Sequence, residues 1–217
     1  MVESPIVAED ERLLWLEKPS GVPVFPPHAE PGGDCLLRRL LQVRPQQDLA
    51  FPEGFAGGIA HRLDVPTSGL VVAAKTPEVL GEVRAAFAEG RLRKTYLFLS
   101  DRSVPWTEHR VTTRLAHHKR DRRRMVTERG RSTPHRGRWY DADTRLRHLR
   151  GPLWEAVIVT GVMHQIRAHA ASVGLALRGD RLYGGRGEGP FRLHHSRLEG
   201  LGPGPTSEPD WLLELAP

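Results

Sequence analysis

The sequence predicts an α+β fold. Three helical patterns are interspersed with four short β-rich runs. They do not follow the strict strand–helix–strand alternation of a parallel α/β protein. Hydrophobic residues are 39% of the 217-residue chain and charged residues 27%, enough for a core under an ordinary polar surface. The longest apolar runs are around five residues, far short of a membrane span.

Each element has its own signal. Leu13-Leu14-Trp15-Leu16 reads as a strand that stops at the turn Lys18-Pro19-Ser20-Gly21. Leu36, Leu37, Leu40 and Leu41 recur at helical spacing, which predicts a helix over Cys35–Gln42. Gly54 to Gly58 reads as a flexible approach to the next turn, and Leu70–Ala74 as a buried strand. Thr76 has the chemistry of an N-cap with Pro77 at the first helical position. Val79, Leu80, Val83 and Phe87 then share a helical face, and Gly90 suits the helix end. Thr95–Leu99 and Trp154–Thr160 are β-rich. A helix is expected from about His164, with Ile166, Ala170 and Val173 on one face and Gly174 closing it. Trp211–Leu215 is expected to pair as a last strand. No repeat or long linker interrupts the chain, so residues 1–217 are expected to form a single domain.

Charge is unevenly spread. Residues 114–150 hold 13 Arg/Lys and four Asp/Glu, a local net charge of +9. The rest holds 19 and 22, a net of −3, within a total of +6. Such concentration suits a polyanion, whose counterions are released on binding. A solvated, partly disordered basic loop is the plainer alternative. Trp139 and Tyr140 follow the run Lys119-Arg120-Asp121-Arg122-Arg123-Arg124, which brings nucleic acid level with it. The single Cys35 excludes an internal disulfide and a multi-cysteine zinc site. His117-His118 and His194-His195 are adjacent pairs whose rings point apart on regular structure, so no metal is expected. Gly185-Arg186-Gly187-Glu188-Gly189 echoes a phosphate loop but lacks the strand-to-helix setting, and is read as an ordinary loop. The start of the chain has no basic and apolar leader, and a cytoplasmic location is expected.

The densest signal is His61-Arg62-Leu63-Asp64-Val65-Pro66-Thr67-Ser68-Gly69-Leu70. It places a carboxylate on a Pro/Ser/Gly turn that feeds a buried strand, a junction that fixes a reactive group while leaving it reachable. This segment resembles the signature of the RluA-type pseudouridine synthases, in which the Asp is catalytic. Lys18-Pro19-Ser20-Gly21 resembles the family's N-terminal turn. Arg93-Lys94-Thr95-Tyr96 resembles its second motif and Thr160-Gly161-Val162-Met163-His164-Gln165-Ile166-Arg167 its third. Gly179-Asp180-Arg181-Leu182-Tyr183-Gly184 and Leu193-His194 resemble its C-terminal signatures. The pieces occur in family order over roughly residues 11–198.

The resemblance implies a mixed, largely antiparallel central sheet flanked by helices and loops. It implies isomerisation of specific uridines in ribosomal or transfer RNA, with structured RNA as partner and no accessory N-terminal RNA-binding domain. Asp64 is then the catalytic carboxylate, Arg167 its guanidinium partner, and Tyr96 the ring that stacks on uracil. Arg62 fills or stabilises the space left by the flipped base, and Leu193 closes the apolar wall. Lys94, His164 and Gln165 complete the expected substrate-binding set. The chemistry exchanges no electrons, so no cofactor is expected. No membrane and no obligatory protein partner are expected, and the chain is expected to be a monomer.

Each assignment competes with a plainer one. Asp64 alone would cap a turn, Tyr96 would fill a core, and Arg167 would lie on a helix surface. The motif departs from the family at Val162, where Arg is usual, and Leu175-Ala176-Leu177-Arg178 lacks a frequent Pro. The alternatives in function are a catalytically silent RNA-binding or RNA-folding protein on the same fold, and a generic basic binder of nucleic acid. A glycoside hydrolase is disfavoured because no second carboxylate accompanies Asp64.

Overall fold

The computed structural model describes residues 4–185 and 189–215. The chain divides into two compact units, Met1–Leu92 with His194–Pro217, and Arg93–Leu193. Both mix strands with helices, and nearly all strand pairs are antiparallel. The α+β expectation therefore holds.

In the first unit, β1 (Ile6–Glu9), β2 (Leu13–Lys18) and β3 (Ser68–Ala74) pair antiparallel in that order. β11 (Leu193–Glu199) lies parallel to β3, with His194 opposite Ser68 and His195 opposite Gly69. β3 is buried from Gly69 onward, as its run of small and branched apolar residues dictates. Helix α1 (Leu36–Val43) buries Leu36, Leu37 and Leu40. Helix α2 (Pro77–Ala88) starts as the sequence foretells, with the Thr76 hydroxyl accepting from the Val79 amide at 3.4 Å. Leu80, Val83 and Ala86 of α2 pack with Leu13, Trp15, Val72, Ala74 and Leu198.

Two expectations need correction here. Gly54–Gly58 ends in a tight 3-10 turn, Ala56–Gly58, whose last two residues are buried. Gln47 Nε2 donates to the carbonyls of Gly57 (3.0 Å) and Ala74 (2.5 Å). The glycines permit close approach to β3, so the approach to Asp64 is fixed. Trp211–Leu215 is part of a 3-10 turn, Asp210–Leu215, instead of a strand. Pro209 starts it, accepting from the Leu212 amide at 2.9 Å. Trp211 is buried while Leu213 is 81% exposed, an asymmetry that strand alternation would not give.

In the second unit, β4 (Arg93–Leu99), β10 (Leu153–Ile158), β9 (Thr144–Arg150) and β5 (Glu108–Val111) form an antiparallel array in that order. A separate three-stranded sheet has β6 (Leu115–His118) between β7 (Met125–Thr127) and β8 (His135–Tyr140). The basic segment is therefore built of strands and turns; the disordered-loop alternative does not hold. Helix α3 (Gln165–Ser172) buries Ile166, Arg167, Ala168 and Ala170. Leu115, Met125, Ala142, Ala168 and Tyr183 form a core between α3 and this small sheet. Arg186, Gly187 and Glu188, the centre of the Gly-rich stretch, lie outside the described residues.

Candidate active site

In the first unit, Asp64 is half-buried on a turn closed by the Thr67 amide donating to the Asp64 carbonyl at 3.0 Å. The Lys18-Pro19-Ser20-Gly21 turn grips this segment from the end of β2. Lys18 is fully buried, and its Nζ donates to the carbonyls of Pro19 (2.9 Å), Val22 (2.7 Å) and Val65 (3.2 Å). The Gly21 amide also donates to the Val65 carbonyl at 2.9 Å, and the Ser20 hydroxyl to that of Pro66 at 2.8 Å. Burial pulls the Lys18 ammonium down to about 8, while the charges of Asp64 and Glu17 oppose that fall. The residues on either side of the turn are clamped as firmly. Gly69 has φ 113°, and a Cβ there would lie 2.3 Å from the His195 carbonyl oxygen. Arg62, two residues before Asp64, is exposed.

Behind this turn runs a partly buried polar chain centred on buried His194. Ser68 Oγ lies 2.9 Å from His194 Nδ1, His194 Nε2 lies 2.9 Å from Ser207 Oγ, and Ser207 donates to Glu17 at 2.6 Å. Because the Ser207 hydroxyl proton goes to Glu17, its oxygen accepts from His194 Nε2–H, and Nδ1 accepts from Ser68. This is a neutral imidazole, in keeping with burial pushing His194 down to about 4. Burial also raises the Glu17 carboxyl.

In the second unit, strand alternation puts Lys94, Tyr96 and Phe98 on one face of β4, all buried. Burial pulls Lys94 down to about 8. Its Nζ lies beside Gly161 of the third motif, where a Cβ would stand 3.1 Å away. Leu193, at the start of β11, is buried.

The third motif turns sharply into α3. Gln165 is 3% exposed and its amide is fully used. Oε1 accepts from the Thr160 hydroxyl (2.9 Å) and the Val162 amide (3.2 Å). Nε2 donates to the Asp143 carbonyl (2.9 Å) and the Thr144 hydroxyl (3.1 Å). Four protein partners saturate a side-chain amide, so this residue braces the turn. His164 precedes the helix in the left-handed region, φ 53°, uncommon for a non-glycine residue. Its Nδ1 lies 3.0 Å from the Tyr183 hydroxyl, whose oxygen accepts from the Met125 amide at 2.8 Å. Tyr183 is pushed up to about 12 by burial and stays protonated.

Arg167 forms a two-pronged ion pair with Asp180. Its Nε and Nη2 donate at 2.8 and 2.9 Å, and both side chains are below a tenth exposed. The rings of Tyr183 and Phe191 lie 5.2 and 5.1 Å from the guanidinium carbon. Asp180 also accepts from the amides of Leu182 (3.2 Å) and Tyr183 (3.3 Å). The Gly179–Gly184 motif is thus a bracket for Arg167. Sequence reasoning quoted that motif without giving Asp180 or Tyr183 a role, and likewise passed over Lys18. The signal available was an acid and a Tyr flanked by glycines in a motif already recognised.

Residues 12–172 match the family described as RNA pseudouridylate synthase. The chain belongs to that family. Its curated relatives include the ribosomal large subunit pseudouridine synthase D of Zymomonas mobilis, 34% identical over 201 residues, covering 90% of this chain and 59% of that protein. The protein of the same name from Pseudomonas aeruginosa is 33% identical, with 85% and 55% covered. The chain therefore spans between half and three fifths of the length of these relatives. Among solved structures, human RNA Pseudouridylate Synthase Domain Containing 1 shares the fold with a TM-score of 0.73 at 22% identity, covering 92% of this chain and 79% of that one. The human Domain Containing 4 protein gives 0.68 at 20%, covering 89% and 82%.

Val162, where the sequence motif leads one to expect Arg, is half-buried and packs against the core of Leu115, Met125, Ala142, Ala168 and Tyr183. Gln165 pins the Val162 amide at 3.2 Å. Among the described residues no helix is long and apolar enough to cross a membrane. No group of three or more His, Cys, Asp or Glu is placed to hold a metal among them.

Proposed function

We propose that this chain is an RNA pseudouridine synthase acting on specific uridines of structured ribosomal or transfer RNA in the cytoplasm. We propose further that residues 1–217 work as a single catalytic domain and as a monomer. The observation that carries this reading is the family match over residues 12–172, which includes the clamped turn of Asp64. The names of the curated relatives support ribosomal RNA as the first substrate to try.

The reaction breaks the bond between N1 of uracil and C1′ of ribose, turns the base, and joins C5 to C1′. The proton on C5 is lost to solvent and N1 regains one, so the product is an isomer. A carboxylate is the usual agent beside an anomeric carbon, as base or nucleophile. Asp64 supplies it, on a turn whose backbone is held by Lys18, Ser20 and Gly21. Arg167, aligned by Asp180 through its Nε and Nη2, is its proposed guanidinium partner. Tyr96 stacks on uracil and Leu193 walls the pocket. Lys94 faces the same side of β4 as Tyr96, where a base or phosphate oxygen meets a poised cation. His164 and Gln165 hold the loop shape, and Arg62 supports the space left when the target base flips out.

The test is tritium release from ribosomal and transfer RNA transcripts labelled at C5 of uracil, with Asp64→Asn in parallel. Wild type alone should release tritium while both proteins bind the RNA. Release by Asp64→Asn would remove Asp64 from its role. Tight binding without release from any transcript would favour the silent RNA-binding protein, and Val162→Arg would then be the first reversion.

A further inference from the structure

The three-stranded sheet of the second unit carries features that the isomerisation itself does not use. Residues 115–140 contain nine Arg/Lys and two acids, a local net charge of +7. Both acids are committed, Asp121 to Arg123 (3.3 Å) and Glu128 to Arg114 (2.7 Å). The turn between β6 and β7 is tightly ordered. His118 donates its amide to the Arg124 carbonyl (2.9 Å), and its Nδ1 accepts from the amides of Arg120 (3.3 Å) and Asp121 (3.0 Å). This fixed backbone leaves Lys119, Arg120, Arg122 and Arg123 exposed.

Beside that turn stands an aromatic pair. β8 pairs with β6 so that His135 lies opposite His118, the last residue before the cationic turn. The rings of His135 and Trp139 stack at 4.4 Å with a 39° tilt, and both residues are half-exposed. Tyr140 faces the other way, into the core of Leu115, Met125 and Tyr183, with Arg138 over its ring at 4.6 Å. The Trp139 ring thus shares the outer face with His135, whose strand partner His118 leads into the cationic turn, while Arg138 stays with Tyr140.

We propose that this outer face seats an unpaired stretch of the RNA, with one base stacked on the Trp139–His135 pair and its phosphates held by the Lys119–Arg123 turn. The proposal rests on reading the chain as an enzyme that acts on RNA. Stacking on a positively charged ledge is how proteins hold single strands without reading their sequence. A purely apolar partner would have no use for the cations, and a free anion no use for the stacked rings. The seat is tied to the site. The Met125 amide bonds the Tyr183 hydroxyl, and the Arg124 guanidinium carbon lies 5.6 Å over the ring of Tyr183, whose other partner is His164.

The test measures fluorescence anisotropy of a fluorescein-labelled twelve-nucleotide unpaired RNA of mixed sequence. The same strand in a duplex, and labelled poly-glutamate, serve as comparisons. Wild type should prefer the single strand. Trp139→Ala should weaken that binding about tenfold, and Trp139→Phe should restore most of it. Lys119→Gln, Arg120→Gln and Arg122→Gln together should lower the slope of log affinity against log salt by about 2. Unchanged binding by Trp139→Ala would overturn the proposal, as would equal losses in the Ala and Phe variants. Equal affinity for poly-glutamate would reduce the face to a general polyanion surface and overturn it too. Tritium release is read separately, so a wild type that binds as expected but releases none defeats the enzymatic reading and leaves the seat standing.

Discussion

Asp180 holds both nitrogens of one edge of Arg167, as several surface acids do for their arginines, but here both side chains are below a tenth exposed. Removing one partner of a buried pair leaves the other charge stranded, at a cost of about 3–5 kcal/mol. Asp180→Asn should therefore lower the unfolding free energy in denaturant by roughly that amount and cut kcat more than RNA affinity. An unchanged unfolding midpoint would mean that Arg167 needs no bracket. Lys18 and Lys94 make a second prediction. Both are held near 8 by burial, against an ordinary 10.5. Between these values the unfolded chain binds more protons than the folded one, so stability should rise with pH. Turnover should move the other way above pH 8, as the ammonium that clamps Val65 loses its charge. Melting curves and single-turnover rates over pH 7–10, on identical samples, would show the two trends separating; a flat rate profile would free both lysines from the site's chemistry.

The elements differ in how plainly their residues announced them. α2 was legible to the cap, because Thr76 and Pro77 act through local backbone chemistry that needs no tertiary partner. β3 was legible because a strand buried on both faces shows as one apolar run. β6, β7 and β8 were not, because their outward positions are arginine and histidine and the inward ones too few to set a period. The Asp64 turn was found by motif, whereas its grip by Lys18 depends on a strand 46 residues away in sequence and left no local trace. The parallel junction of β3 and β11 tests this long-range order. Gly69→Ala would drive a methyl into the His195 backbone and should cost at least about 3 kcal/mol or prevent folding. At the same junction His194 stays neutral down to about 4 while an unfolded histidine takes its proton near 6.5. Stability should therefore fall as pH drops from 6.5 towards 4, by at most about 3 kcal/mol. His169, also depressed by burial, adds to the fall, and Glu17, raised by burial, offsets part of it. Thermal melts of wild type and His194→Gln across this range should converge at the acid end; parallel curves would locate the acid sensitivity elsewhere.

Across the molecule, charge is partitioned. Residues 114–150 carry +9 and everything else −3. RNA affinity should therefore drop steeply between 50 and 200 mM salt, while the melting temperature, which rests on apolar cores in each unit, changes little. A shallow salt response would mean that few phosphates are neutralised. The sequence already located this pole, since counting charges needs no fold. It did not disclose that most of this pole, residues 115–140, is a small sheet whose β7 leans on Tyr183 while β9 belongs to the larger array.

That footing bears on how the chain can diversify. The His118–Arg124 backbone bond closes the cationic turn below its tip, and the Met125–Tyr183 bond lies one residue further in. Residues 119–123 can therefore lengthen, shorten or change sign beyond a sealed neck without disturbing the hydroxyl that steadies His164. If the chain modifies RNA as proposed, its descendants can redraft five residues at the turn's tip and leave the Tyr183–His164 contact as it is.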